Sequence, residues 1–340
     1  LSTIENLYKF DYSRVKSQRA NVKKMQSIGL YPKKFDMPIL LQFELTHKCN
    51  VFCKHCYNNS GTHNTYKDAM TPKKWKQFCH YIVEKGGIFE CIISGGEPLL
   101  LGNDLFDIMD ILHEDGTYFL LITNGFLLTE EKVKKLAKYH YKWIQVSIDG
   151  ATAEYHDAFR QKNGSWNRAV NGAFMVSSAG IPLTIAHSVS AQNLNDVDAM
   201  CDLAYELGAS NIILGEISLS GRTYDNQNLL LNETEREYLI EKIEYNTNRF
   251  RGKMQVQRNM DERLQYEQQL GVPCGGLIIR PDGNIRLDCM TPFVLGNILE
   301  NDFETIWKSK CTHIWEKPEI QEYYEHKNDV KNYIDDDIIL

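Results

Sequence analysis

An α/β fold is predicted: a partial, TIM-like (β/α)6 barrel of parallel strands followed by a small α+β unit. Three observations predict it. Six short apolar or β-branched runs alternate with helical patterns between residue 38 and about residue 220. The glycine-rich and polar signatures fall just after those runs, where a parallel sheet gathers its functional residues. At 340 residues, 43% hydrophobic and 24% charged, the chain is long enough for a barrel-sized domain with an appendage but short for eight full units.

Residues 1–37 come first and are polar and basic, with Lys16, Arg19, Lys23, Lys24, Lys33 and Lys34. They read as a solvated helical lead-in or as a docking arm for an acidic peptide. The barrel spans 38–222. Its expected strands are Ile39–Leu45, Phe89–Ser94, Tyr118–Thr123, Trp143–Ile148, Leu183–Val189 and Asn211–Ile217. Thr71-Pro72 opens a helix, with a hydroxyl N-cap and proline at the first helical position. Asn103, Thr129, Ser165 and Asn195 are candidate caps for others. Residues 223–270 are rich in Asn, Glu, Gln and Arg and read as a helical bridge, with helices over Thr234–Arg249 and Met260–Leu270. The last unit spans 271–340. Pro281-Asp282-Gly283 between two β-rich runs signals a hairpin.

Composition excludes some functions. A net charge of -7 gives no basic face for nucleic acid. No run reaches the eighteen or so apolar residues of a membrane span. The first residues lack the apolar core of a signal peptide. Nine cysteines without such a signal point to a reducing cytoplasm, where grouped cysteines more often bind metal than form disulfides.

Cys49, Cys53 and Cys56 follow the first strand with three and then two residues between them. One tight loop can offer three thiolates from one side, and thiolates prefer soft metals and iron–sulfur clusters. Three ligands can hold three irons of a [4Fe–4S] cube and leave the fourth open. Zinc or free thiols are the alternative. Zinc sites usually bring a second Cys or His pair, and only His63 and Cys79 lie within the next thirty residues.

With His55 just before the last cysteine, this spacing resembles the signature of the radical S-adenosylmethionine (SAM) superfamily. Gly95-Gly96-Glu97-Pro98 falls where that family carries its GGEP motif. The resemblance implies that the open iron binds SAM and that an electron from the cluster cleaves it. The resulting 5′-deoxyadenosyl radical takes a hydrogen atom from a substrate. A flavodoxin or ferredoxin is the implied electron donor. Gly95, Gly96 and Glu97 would then meet the SAM ammonium. Ser147-Ile148-Asp149-Gly150 with His156, Asp157 and Arg160 resembles a further stretch of this family, in which a serine and an arginine hold the SAM carboxylate. Ser147 and Arg160 take those roles here, with Arg168 as competitor for the arginine. Asp149 is either a contact or a turn residue.

Polar residues inside apolar strands need a partner or a role. His187 and Ser188 in strand five are candidate SAM contacts, and Glu216 in strand six is a catalytic candidate. A satisfied core histidine is the other reading of His187. Arg222 follows strand six in a Gly-Arg pair that resembles the family's and is expected to face substrate.

Cys274, Cys289 and Cys311, with Leu295-Gly296-Asn297-Ile298 and Ile306-Trp307, resemble the SPASM domain, an auxiliary-cluster module. The module departs from the full pattern, because only Cys311 follows Cys289. The resemblance is to the shortened twitch form, with one auxiliary [4Fe–4S] cluster on Cys274, Cys289 and Cys311. The tail ends in Asp335-Asp336-Asp337 and apolar Ile338-Ile339-Leu340, and its placement is left open.

Taken as a whole, the resemblance implies maturation of a ribosomally made precursor peptide, by crosslink or thioether formation or by epimerisation. Epimerisation needs a hydrogen donor, for which Cys201 or Cys311 is the candidate. The alternatives are dehydrogenation of a small molecule such as an amino sugar alcohol, and a cluster protein that only relays electrons.

Overall fold

The computed structural model describes residues 9–61, 67–259, 262–289, 291–326 and 337–340. His63, Met260, Asp335 and Asp336, singled out above, lie outside the described residues. Helix α1 (Lys9–Ser27) precedes the sheet. The barrel then alternates β1 (Leu40–Glu44), α2 (Pro72–Glu84), β2 (Glu90–Ser94), α3 (Asn103–Glu114), β3 (Tyr118–Thr123), α4 (Glu130–Leu136) and β4 (Tyr141–Ser147). It continues with α5 (Ala153–Arg160), α6 (Ser165–Ser178), β5 (Leu183–Val189), α7 (Val197–Glu206) and β6 (Asn211–Glu216). Strands β1 to β6 pair in parallel with their sequence neighbours. The helices supply the crossovers that parallel pairing requires.

Each strand has two unlike faces. Ile144, Val146 and Ile148 are fully buried against helices, whereas Trp143, Gln145 and Ser147 lie half-buried on the inward face. Strand β1 repeats the pattern: Leu41 and Phe43 pack outward and Phe43 meets Trp75 of α2 at 5.1 Å between ring centroids. Leu105, Ile108 and Met109 of α3 complete that part of the core. This outer layer of apolar area holds the helices to the sheet, at roughly 25 cal/mol per Å² removed from water.

The polar segment after β6 holds more than helix. Helix α8 (Glu233–Arg249) begins at a capping box in which Asn232 and Glu235 bond each other's backbone. It leads into β7 (Gln255–Arg258), a seventh strand parallel to β6. Only Val256 of that strand is buried, so Gln-Val-Gln-Arg carries too weak an apolar signal to read as strand. Helix α9 (Glu262–Gln269) packs on α1, where Arg19 pairs with Glu267 at 2.8 Å.

The C-terminal unit continues the same sheet. Strand β8 (Gly276–Ile279) pairs in parallel with β1, and the expected hairpin joins it to antiparallel β9 (Asn284–Arg286). Gly283 has φ +91 at the turn, where a Cβ would be strained. Strand β10 (Phe293–Asn297) pairs with β9, and β11 (Ile338–Ile339) pairs with β10 in parallel. The full order is β11-β10-β9-β8-β1-β2-β3-β4-β5-β6-β7. Helices α10 (Phe303–Lys310) and α11 (Pro318–His326) cover this end. Phe303 meets Phe78 of α2 edge-on at 5.4 Å, and Trp307 Nε1 donates to the Phe35 carbonyl at 2.9 Å.

Candidate active site

The cysteine loop leaves the C-terminal end of β1 and is clamped on three sides. The Phe52 and Lys54 amides donate to the carbonyls of Arg160 and Phe159, both at 3.1 Å, which ties the loop to the end of α5. The Arg222 amide donates to the Cys56 carbonyl at 3.1 Å, and Arg222 Nε donates to the Cys53 carbonyl at 2.7 Å. The same guanidinium lies 3.9 Å over the Phe52 ring, a cation–π contact. On the third side Gly95 and Gly96 press against the strand-to-loop backbone. A Cβ on Gly96 would stand 2.2 Å from the Lys48 carbonyl oxygen, and one on Gly95 would stand 2.7 Å from that of Thr46. The two glycines therefore serve a close approach of chain to chain, where the sequence suggested an approach of chain to ligand.

Cys49 and Cys56 are half-buried and Cys53 is buried, and the three thiols lie within electrostatic reach of one another. Burial pushes the Cys49 thiol up to about 11 and Cys53 up to about 12. The Arg160 guanidinium opposes that rise at both. Without a cation against them these groups stay neutral; bound metal removes such protons outright. Among the described residues no three His, Cys, Asp or Glu side chains converge tightly enough to enclose a single metal ion. Three buried nitrogens in or beside the loop, Asn50 Nδ2, His55 Nδ1 and Arg222 Nη2, have no hydrogen-bond partner. A soft donor set with unused buried donors around it fits an iron–sulfur cluster and a polar ligand.

Behind the loop, Asp149 and Arg160 form a buried pair. Arg160 Nη2 stands 2.6 Å and Nε 2.8 Å from the same Oδ2, and the other oxygen accepts from the Ser188 amide at 2.9 Å. Burial alone would raise the Asp149 carboxyl, but Arg160 and the nearby histidines hold it well below the usual range. Arg168, the competing arginine, is exposed on α6 with its guanidinium 5.8 Å from the Phe126 ring. His55 stacks on Phe159 at 4.5 Å, and its Nε2 shares a 3.2 Å hydrogen bond with Ser188 Oγ. Burial lowers the His55 ring to about 4, so it is neutral there. Ser147 lies half-buried on the inward face at the end of β4.

Several expected site residues point elsewhere. Glu97 is fully buried and its oxygens are taken by the chain: the Leu99 amide at 3.1 Å, Thr123 Oγ at 2.8 Å and the Asn124 amide at 2.8 Å. It joins the turns after β2 and β3 instead of presenting a free charge. His187 shares the outward face of β5 with Leu183, Ile185 and Val189, and its Nδ1 bonds the Ile148 carbonyl at 3.1 Å. Glu216 also points outward and pairs with Arg236 of α8. Cys201 is completely buried in the hydrophobic core on α7, away from the loop. Cys311 is buried too and adjoins Cys274, both lining a recess with Phe35, Pro273 and Trp307. Cys289 stands apart from that pair, among Asp288, Glu44 and Arg286. The structure thus joins Cys274 with Cys311 and leaves Cys289 in other company.

Sequence reasoning missed a charged group on the inward face beside the loop. Glu44 ends β1 and accepts from Tyr57 Oη at 3.0 Å and Asn58 Nδ2 at 3.3 Å. Arg280 Nε lies 3.6 Å from Glu44, and its Nη2 donates to Asn58 Oδ1 at 3.1 Å. The available signal was Glu44 itself, a carboxylate at the end of the mostly apolar run Leu-Leu-Gln-Phe-Glu.

Three comparisons bear on this site. Residues 43–204 match the family described as the Radical SAM superfamily. The chain is similar to the antilisterial bacteriocin subtilosin biosynthesis protein AlbA of Bacillus subtilis. The two are 27% identical over 290 residues, covering 83% of this chain and 62% of AlbA. It is 26% identical over 278 residues to a PqqA peptide cyclase of Rhizobium meliloti, covering 79% of this chain and 73% of the cyclase. Its fold resembles Streptococcus suis SuiB bound to S-adenosylmethionine, with a TM-score of 0.66 at 15% identity, over 92% of this chain and 73% of SuiB.

Proposed function

We propose that this chain is a radical SAM enzyme that abstracts a hydrogen atom from a peptide. One observation carries the reading: three thiols on a single clamped loop at the mouth of a parallel barrel, with an Arg160–Asp149 pair behind them. Cys49, Cys53 and Cys56 would hold a [4Fe–4S] cluster. When bound with SAM, that cluster supplies the electron that cleaves it and so generates the hydrogen-abstracting radical.

The chain's own residues do the rest. Arg222 braces the loop from beneath through the Cys53 and Cys56 carbonyls. Arg160 keeps positive charge beside the thiols, and Asp149 fixes its orientation. Ser147, Ser188 and His55 are placed to receive the polar end of SAM, as the neutral His55 ring and the hydroxyls can each donate or accept. Asp149 and Glu97 are satisfied within the chain and act by positioning. In this reading the further cysteines carry no second cluster, since Cys274 and Cys311 adjoin each other and Cys289 has separate neighbours. Burial of Cys201 and Cys311 gives neither a route to a substrate radical.

The peptide substrate is supported by the similarity to proteins of bacteriocin biosynthesis and of PqqA peptide cyclisation, and by a like fold in SuiB bound to its precursor peptide SuiA. Anaerobic reconstitution tests the central claim. The expected result is about four irons per chain and 5′-deoxyadenosine formed from SAM under a strong reductant. The Cys49→Ala/Cys53→Ala/Cys56→Ala variant should lose both. Undiminished SAM cleavage by that variant would sink the reading.

A further inference from the structure

Two guanidinia stand together beside the cysteine loop, with relative exposures of 5% for Arg280 and 2% for Arg286. Burying like charges side by side is costly unless anions share the space. Glu44 is one such anion. Asp282 and Asp288 lie within electrostatic reach as well, and Asp337 adds a further carboxylate. The Asp337 carboxylate lies 3.9 Å from Arg280 and 3.6 Å from Arg286, and accepts from Asn284 Nδ2 at 3.0 Å.

The segment that carries Asp337 is lightly held. The Ile338 amide donates to the Pro292 carbonyl and the Leu340 amide to that of Val294, both at 2.9 Å. The two strand side chains give little, Ile338 being 45% and Ile339 78% exposed, and the apolar contact comes from Leu340 alone of the three. Attachment comes from main-chain bonds to a sheet edge, from a carboxylate beside two arginines, and from Leu340, which packs against the core and whose carbonyl accepts from Lys310 Nζ. Those requirements are met by almost any extended peptide with an acidic residue at the right register, which is how strand addition to a sheet edge works.

We propose that the β10 edge, with Arg280 and Arg286, is a docking site for an extended acidic peptide, and that Asp337–Leu340 occupies it in place of that peptide. The inference rests on the peptide reading above and assigns where the substrate chain attaches. Its location suits that role. Arg280 bonds Asn58, which lies two residues beyond Cys56, so a docked carboxylate stands one side chain away from the cysteine loop. The carboxylate fixes register and the sheet edge fixes direction, since β11 runs parallel to β10.

The test uses the full chain and two fluorophore-labelled synthetic peptides, Asp-Ile-Ile-Leu and Asn-Ile-Ile-Leu, followed by anisotropy. Ile338→Pro removes the amide that bonds Pro292 and unseats the resident segment. This variant should bind the Asp peptide about ten-fold more tightly than the wild type does, and about ten-fold more tightly than it binds the Asn peptide. Adding Arg286→Gln should erase the preference for Asp. Equal binding of the two peptides by Ile338→Pro, or affinity unchanged from wild type, overturns the proposal. If circular dichroism shows Ile338→Pro to be unfolded, hydrogen exchange on the wild type decides. Saturating Asp peptide should then expose the Ile338 and Leu340 amides, and unchanged protection rejects the docking site. SAM cleavage is measured alongside. Its loss strikes the enzymatic reading, whereas intact cleavage with no peptide discrimination strikes this one.

Discussion

The Asp149 carboxylate is wholly buried, so every stabilising contact it has must come from the chain. Arg160 provides two of them through one planar fork, at 2.6 and 2.8 Å. Lysine keeps the charge but cannot reproduce the fork. Arg160→Lys should therefore cost about 1–3 kcal/mol of stability and loosen the loop that leans on residues 159 and 160. Arg168→Lys, on an exposed helix face, should change stability by less than about 0.5 kcal/mol. Chemical denaturation of both variants separates them, and equal effects would mean that the fork is not what holds the site. Choosing between these arginines needed the structure. The motif spacing named Arg160, but only its burial against Asp149 shows why a substitution there should be felt.

At the scale of elements, the turn after β2 decides how closely the cysteine loop can sit. Gly96→Ala places a methyl 2.2 Å from a carbonyl oxygen, a contact that must be relieved by moving backbone. The expected penalty is about 2–3 kcal/mol, with the thiols displaced from their common side. Thermal unfolding of the purified variant measures it; a melting temperature equal to wild type would show that the loop has slack. The strands themselves were legible, because runs such as Leu183–Val189 are apolar and bounded by helical patterns. Which face a polar residue takes was not. His187 and Ser188 are adjacent, so one must point outward and the other inward, and period two alone does not say which. Glu216 is placed outward by the same alternation, and Cys201 is on a core-facing helix. Strand β7 escaped notice because it lies at the sheet edge with only Val256 buried, which leaves no apolar run to see. The grouping of three cysteines on one loop after β1 was legible, since it lies in local spacing.

For the molecule as a whole, buried ionisable groups set an acid limit. Burial lowers His156 to about 4 and also lowers His187, against about 6.5 when unfolded. The unfolded chain then binds more protons than the folded one below about pH 6.5, so stability falls as pH drops from there toward about 4. Asp149 acts in the same direction lower down, because its carboxyl is depressed in the fold and its contribution is lost only as it protonates. Unfolding by urea at pH 7 and pH 5 should differ by on the order of 1–3 kcal/mol, with the lower value at pH 5. A flat profile across that range would mean that the two histidines are charged in the folded state.

Among the described residues the outermost strands of the sheet, β7 and β11, make no pairing with each other. A closed barrel can be entered only at its ends, so a long molecule must thread into it tip first. A wall with a seam has no such rule. If the proposed peptide substrate is right, its middle could be laid in sideways, worked on at one residue and lifted out, with both of its ends left in water throughout. Nothing about the length of such a molecule would then limit whether it can be processed.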